Sequence, residues 1–319
     1  MNNTRLPSIV FFGTPKFASY CLDYLIDAGF PITAVVTAPD RKAGRGKKIR
    51  VSEVKLAAQE KGLVVLQPEN LKASHFVTEL KAFNADAFVV VAFRMLPREV
   101  WQLPKFGTLN LHASLLPNYR GAAPINWVLM NGEKQTGVTT FLINEAIDTG
   151  AILRSKSLLI APTDDVGTLH DKLLTLGAPL IKETLSGLVE ETIEAKTQVL
   201  IGDERSAPKL TNENTQINWS RPLEEVCNQI RGLSPYPGAW TIIQNKGLEL
   251  RVKIFKATLL LKKHNYSQGR IVVEENKMLI AVSKGFLNCI EIQLPNKKRM
   301  PVRALLNGYT FDEEATVLW

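Results

Sequence analysis

Residues 107–124 read Gly-Thr-Leu-Asn-Leu-His-Ala-Ser-Leu-Leu-Pro-Asn-Tyr-Arg-Gly-Ala-Ala-Pro. Side chains alternate across a strand, so Thr108, Asn110 and His112 line one face and Leu109 and Leu111 the other. An amide beside an imidazole places an N–H donor next to a ring that takes up or releases a proton. The strand then runs into a loop punctuated by Pro117 and Gly121. In open α/β sheets that edge is where ligands bind. A single polar residue at a strand end needs no more than a local partner. Three on one face, stopping at a rigid polar loop, point to a site.

Three further stretches hold residues able to do chemistry. Asn144 to Gly150 marks a turn around Asp148, and a lone turn Asp commonly caps its own backbone. Pro39 to Arg50 holds six basic residues and two glycines and is too charged for a core. Such blocks are usually solvated loops. As a mobile loop, this one would close on a phosphate backbone through Arg41, Lys42, Arg45, Lys47 and Lys48. Lys297, Lys298 and Arg299 form a second basic cluster, which reads equally as a solvated turn or a phosphate contact.

The elements around these residues follow an α/β pattern. Ser8 to Gly13 is an apolar run read as a buried strand. Thr14 is the expected cap of a helix with Pro15 in its first turn, running to about Ala28 with Gly29 as its stop. Strands are expected at 32–37, 64–67, 87–92, 107–112, 136–143 and 151–157, and helices at 52–61, 73–83, 124–130 and 165–189. The run Ala87 to Ala92 is apolar throughout, as a parallel strand covered on both faces should be. Strand–helix–strand alternation predicts a mostly parallel sheet. The first turn has only Gly13 where a dinucleotide fingerprint needs three glycines, which disfavours a nicotinamide enzyme. After residue 206 the pattern changes. A helix is expected over Leu223–Leu233, then five short strands at 241–244, 249–255, 269–273, 278–283 and 288–294, then a helix at 302–307. Regular short strands suggest a small barrel of the oligonucleotide-binding (OB) type. The expected division is a catalytic domain over 1–189, a linker over 190–206 and a barrel domain over 207–319.

Composition bounds the function. The chain has 319 residues and 45% hydrophobic content, ample for two cores. Residues 1–7 lack the apolar run of a signal peptide, and no stretch reaches the roughly 18 apolar residues of a membrane span. Cys21, Cys227 and Cys289 are widely spaced and form no metal pattern. A reducing cytoplasm is the expected setting. The net charge of +8 is uneven: residues 207–319 carry 16 Lys and Arg against 10 Asp and Glu. A basic second half suits an anionic partner, nucleic acid before membrane.

The wording of these stretches also matches a family. Asn110-x-His112-x-Ser-Leu-Leu-Pro117 followed by Tyr119-Arg-Gly-x-x-Pro124 resembles the signature of folate-dependent formyltransferases. Phe12-Gly-Thr-Pro-x-Phe-Ala18, the 39–48 basic stretch and Ala207-Pro-Lys-Leu-Thr-x-Glu-x-x-x-Ile-Asn-Trp219 resemble the members that act on charged tRNA. The resemblance spans essentially the whole chain. It implies a Rossmann-like formyltransferase domain followed by an OB-like tRNA-binding barrel. The implied reaction moves the formyl group of 10-formyltetrahydrofolate to the α-amino group of methionine on initiator tRNA. Asn110, His112 and Asp148 are the implied catalytic residues: Asn110 donates to the formyl oxygen, His112 adds a second bond or moves a proton, and Asp148 orients the ring. Phe93, Met95 and Leu96, with Ser114, Leu115, Leu116 and Pro117, are implied to hold the folate. Phe93 and Arg94 replace the family's usual Ala-Tyr-Gly wording in a loop that reads as shorter. The tRNA contacts would be the two basic clusters. No metal is implied, and the chain is expected to act as a monomer away from membranes. A small-molecule acceptor, a nucleotide sugar or glycinamide ribonucleotide, is the rival reading, and an inert RNA-binding protein is another. The basic regions argue against the first and the intact Asn110, His112 and Asp148 set against the second.

Overall fold

A computed structural model describes residues 5–43 and 48–318. The chain divides into two compact units. The first takes Met1–Gly121, Gln135–Leu158 and His170–Ser206; the second takes Ala122–Lys134, Leu159–Leu169 and Ala207–Trp319.

The first unit is built on β1 (Ile9–Gly13), whose five residues are all buried. The sheet also contains β2 (Ile32–Val36), β5 (Val65–Leu66), β6 (Ala87–Val91), β7 (Thr108–His112), β9 (Gln135–Leu142) and β10 (Ile152–Leu159), in the order β10-β9-β7-β6-β1-β2-β5. The pairs β7-β6, β6-β1, β1-β2 and β2-β5 are parallel, and β9 runs antiparallel to β7. This is the mostly parallel, Rossmann-like sheet that the alternating pattern predicts. Strand order reverses between β1 and β6, so the crevice beyond their carboxyl ends is a topological switch point.

Helices α1 (Lys16–Asp27), α2 (Glu53–Glu60), α3 (Ser74–Ala82) and α4 (Arg98–Trp101) connect these strands. Apolar residues of α3, Phe76 and Leu80, pack with Phe12, Phe88 and Val90 in one buried cluster that also takes Leu96 and Val100. The residues of α6 (Val166–Val189) belonging to this unit approach β7 at Gly177, where a Cβ would lie 2.7 Å from the Leu111 Cδ2. The glycine inside this helix is thereby explained by close packing against the sheet. Ser52 caps α2, accepting from the Lys55 N–H at 3.0 Å, as its sequence position suggests.

Two local expectations are corrected. Pro15, not Thr14, is the N-cap of α1, with φ −83°, ψ 176° and no side-chain cap bond. The extended geometry of a cap position is one proline adopts without strain, so the ring sits just outside the first turn. The basic stretch is not irregular throughout: β3 (Arg41–Ala43) and β4 (Lys48–Arg50) pair as an antiparallel ladder, with Arg41 opposite Arg50. Charge bars the segment from a core but leaves its backbone free to pair with itself. Arg45 and Lys47 lie outside the described residues. The short strand β8 (Arg120–Gly121) completes this unit, and β11 (Ser206–Ala207) carries the chain into the second.

In the second unit α5 (Pro124–Met130) starts at its proline, as predicted, and packs on α7 (Leu223–Leu233), with the Asn126 amide donating to the Gly232 carbonyl at 2.8 Å. The barrel comprises β12 (Ala239–Asn245), β13 (Leu248–Leu260), β14 (Ile271–Glu274), β15 (Lys277–Val282), β16 (Gly285–Gln293) and β18 (Thr316–Leu318), in the order β14-β15-β16-β13-β12-β18. The two-residue β17 (Met300–Pro301) pairs with β16 and leads into α8 (Val302–Leu306). Ile271 N–H donates to the Ala315 carbonyl at 2.8 Å and Val317 N–H to the Gly269 carbonyl at 3.0 Å, which ties the last strand back to the first. Five strands were legible in sequence; β18 is the sixth, and it closes an OB-like barrel. Trp219 is wholly buried in the barrel core, with its indole N–H donating to the Thr241 hydroxyl at 2.9 Å. No described helix is long and apolar enough to cross a membrane.

Candidate active site

Strand β7 carries Asn110 and His112 to the carboxyl edge of the parallel strands. Its register places Asn110 between Val90 of β6 and Phe141 of β9. Leu109 and Leu111 are buried on the opposite face. On the site face Thr108 is satisfied locally, its hydroxyl donating to the Trp101 carbonyl at 2.8 Å. The row of three therefore splits, with Thr108 structural and the other two at the strand's end. The Asn110 amide makes no hydrogen bond to a described residue, and it is only half-buried. Among the described residues it is an uncommitted donor, at the edge where open α/β sheets bind ligands.

His112 is 6% exposed, and its Nε2 lies 2.8 Å from the Tyr119 carbonyl oxygen. A carbonyl only accepts, so Nε2 carries the proton of that bond. Nδ1 is then the nitrogen facing Asp148, whose Oδ2 stands 3.6 Å away. That distance is an electrostatic contact rather than a formed hydrogen bond. The same Oδ2 accepts the Gly121 N–H at 2.9 Å. The Asp148 turn is tightly confined: Asp148 itself has φ 54°, and a Cβ on Gly150 would collide with the Leu142 carbonyl. Asn110, His112 and Asp148, 38 residues apart in sequence at their extremes, thus converge on one edge.

The loop after β7 is held from within. The Ser114 hydroxyl donates to the Asn118 carbonyl at 2.6 Å, and the Thr139 hydroxyl donates to the Ser114 carbonyl at 2.7 Å. Ser114 and Leu116 are buried, whereas Leu115 and Pro117 keep partial exposure. In the loop after β6, Phe93 sets its ring edge-on to Phe12 at 5.7 Å, Leu96 is buried in the core, and Met95 is 68% exposed. Arg94 anchors this loop, donating to the Pro68 carbonyl at 2.7 Å and the Glu69 carbonyl at 3.1 Å. Burial, with Arg41 adding repulsion, pushes its pKa down.

The basic clusters differ from one another. Arg41 is exposed on β3, and Lys42 and Lys48 belong to the two ladder strands by their backbone. Lys297 and Lys298 are exposed in the turn before α8. Arg299 is already engaged: its Nε donates to Glu291 at 3.0 Å, and its guanidinium lies 4.6 Å over the Phe255 ring. No group of three or more His, Cys, Asp and Glu side chains able to hold a metal exists among the described residues.

Sequence reasoning missed Arg120 and Gln198. Gln198 Nε2 donates to the Asp148 carbonyl at 2.9 Å and the Gly150 carbonyl at 2.8 Å, while Arg120 Nε donates to Gln198 Oε1 at 3.1 Å. A lone glutamine in an aperiodic segment gives no signal.

Residues 7–185 match the formyl transferase family model, and residues 209–310 match the formyl transferase C-terminal domain. Methionyl-tRNA formyltransferase of Flavobacterium johnsoniae is 48% identical over 309 residues, covering 97% of this chain and 98% of its own. That of Bacteroides fragilis is 45% identical over 310 residues, covering 96% of each chain. Among solved structures, an N-formyltransferase from Helicobacter canadensis in complex with folinic acid and dTDP-3-aminofucose superposes with a TM-score of 0.64. It is 22% identical and covers 92% of this chain and 99% of its own, a likeness of fold alone. With both domain models matched in order and such identity end to end, the chain belongs to the methionyl-tRNA formyltransferase family.

Proposed function

We propose that this protein transfers the formyl group of 10-formyltetrahydrofolate to the α-amino group of methionine on initiator tRNA. The observation that carries the reading is the placement of an Asn110 amide, without a hydrogen-bond partner among the described residues, on the same strand face as His112 and its neighbour Asp148 at the carboxyl edge of β7. Relatives matched over nearly the whole of both chains carry the name methionyl-tRNA formyltransferase, which favours charged tRNA over a sugar acceptor.

The chemistry asks little of the protein. The donor supplies an activated formyl group. As the amine attacks the formyl carbon, charge grows on the formyl oxygen; collapse of the adduct then breaks the bond from the formyl carbon to N10, and tetrahydrofolate leaves with N10 taking a proton in place of the one the amine gives up. The Asn110 N–H, aimed at that oxygen, stabilises it by about 3–4 kcal/mol, the scale of one oxyanion donor. His112 has Nε2 committed to Tyr119, so its part is played through Nδ1 beside Asp148, which suits uptake of the amine's proton. Asp148 orients the ring and offsets the positive charge it gains. Folate would lie along the partly exposed groups of the two loops, Phe93, Met95, Leu115 and Pro117. Buried Leu96, Ser114 and Leu116 would shape those loops from beneath. The basic residues of the 39–50 stretch would meet the tRNA, and the exposed Lys297 and Lys298 would meet its phosphates. The protein would act as a monomer in the cytoplasm.

The test gives purified protein 10-formyltetrahydrofolate and, in separate reactions, methionine-charged initiator tRNA, a dTDP-amino sugar and glycinamide ribonucleotide. Formylation of the tRNA alone is expected. Turnover on either small acceptor with none on tRNA would overturn the reading.

A further inference from the structure

The segment between the family's two domains reads in sequence as a linker, yet one of its residues reaches the site. From Glu194 to Ile201 every side chain is exposed except Gln198. Its neighbours Val199, Leu200 and Ile201 are 75%, 56% and 82% exposed. Apolar side chains point outward while an amide is tucked in, the reverse of what burial of apolar surface would favour. A specific set of bonds must hold it there.

Those bonds join both loops of the site. The Gln198 amide N–H groups donate to the carbonyls of Asp148 and Gly150, on either side of the turn that presents the Asp148 carboxylate. Its amide oxygen accepts from Arg120 Nε and Nη2. Arg120 lies between Tyr119, whose carbonyl takes the His112 proton, and Gly121, whose N–H meets the Asp148 carboxylate. The surrounding backbone is seated on the same segment. Lys196 and Ile152 exchange two hydrogen bonds of 2.8 Å, and Arg205 N–H donates to the Asn118 side chain at 3.1 Å. Tyr119 and Asp148 have φ of 61° and 54°, a left-handed conformation that non-glycine residues keep only when their surroundings enforce it.

We infer that Gln198, with Arg120, is a positioning residue for the site: it latches the Asp148 turn to the Tyr119–Gly121 loop and so sets the approach of Asp148 to His112. The kinetic part of this inference rests on the formyl-transfer reading above. Neither Gln198 nor Arg120 touches the reacting atoms in this assignment.

Gln198→Glu isolates the latch. An ionised Glu still accepts from Arg120 but has no N–H for the two carbonyls. Turnover is expected to fall about 10- to 100-fold, the scale of a catalytic group misplaced by about 1 Å, with KM for tRNA and folate changed by no more than about twofold. In an Asp148→Asn background the same substitution should cost under about threefold, because residues acting through one group are not additive. An equal loss in both backgrounds, or no loss at all, would overturn the inference. Should Gln198→Glu fail to fold, Gln198→Met gives the same reading without a charge. A readout free of activity separates the latch from the assigned reaction. The ring-proton resonances of His112, identified by their loss in His112→Ala, should move in Gln198→Glu and stay in place in Val199→Ala. Unmoved His112 resonances in Gln198→Glu would sink the latch even in an active enzyme. Absent formyl transfer by the unmutated protein would sink the reaction, with the resonances still deciding the latch.

Discussion

Asn110 and His112 were legible because a strand's alternation puts them on one face and a proline-marked loop ends it. Thr108 shares that face but serves α4, which alternation cannot reveal. Asp148 became visible only through its family context, since a turn Asp usually serves its own backbone. In the structure its Oδ2 accepts the Gly121 N–H at 2.9 Å and stands 3.6 Å from His112 Nδ1. Gln198 was not legible, because its partners are backbone carbonyls distant in sequence and no pattern of side-chain types marks them. These roles make separable predictions. Asn110→Ala removes the free donor, and His112→Ala removes the ring. Each should lower turnover by about two to three orders of magnitude while the fold and tRNA affinity persist. Near-normal turnover in either variant would take that residue out of the chemistry. Asp148→Asn keeps the shape that receives the Gly121 N–H but removes the charge facing Nδ1. It should cost at least about tenfold in turnover, read by single-turnover formylation of charged initiator tRNA.

The parallel strands were readable as elements because burial on both faces leaves an unbroken apolar run, as in Ala87–Val91. Short polar elements were less so. The 39–50 stretch that carries the β3–β4 pair has the composition of a loop, and β18 is separated in sequence from β14, the strand it closes against, by β15, β16 and β17. What holds the opposite, amino ends of the central strands is also a long-range polar contact. The Ser8 N–H and hydroxyl both donate to Asp86 Oδ2 at 2.8 Å, joining the residues that precede β1 and β6. The Ser8 backbone bond foremost, and its hydroxyl with it, hold the Asp86 carboxyl below the usual carboxylate range. A depressed carboxyl stabilises the fold above its unfolded value, about pH 4, and loses that effect as pH falls through the lower folded value. Asp86→Ala should therefore cost about 1–2 kcal/mol at neutral pH, the scale of hydrogen bonds to a charged acceptor near solvent. The difference in Tm between the two proteins should be constant from pH 8 to about pH 5 and narrow below about pH 4. A difference independent of pH would assign the loss to packing. Turnover should be unaffected, since Asp86 lies at the end of the sheet remote from His112.

At the scale of the molecule, residues 207–319 hold a surplus of six positive charges, from 16 Lys and Arg against 10 Asp and Glu. Two basic regions are proposed to meet tRNA, and the proposal gives them different work. In the 297–299 cluster Arg299 is held by Glu291 and Phe255, which leaves Lys297 and Lys298 as exposed point charges. Ammonium groups in a solvated turn meet phosphates without reading sequence. Lys297→Ala with Lys298→Ala should weaken binding of initiator and elongator tRNA alike. The slope of log affinity against log salt should fall by about one unit for each phosphate that is no longer neutralised. Arg45 falls in the 7–185 span that matches the formyl transferase model, between Gly44 and Gly46 in sequence. The flanking glycines let backbone approach a groove closely, and a guanidinium makes paired, directional hydrogen bonds. Arg45→Ala should impair formylation of initiator tRNA strongly and narrow its preference over elongator tRNA, with little change in salt slope. Turnover and affinity on both tRNAs at two salt concentrations separate the two roles. Equal loss on both tRNAs with preference intact would make Arg45 one more phosphate clamp, and discrimination would then have to lie in the barrel.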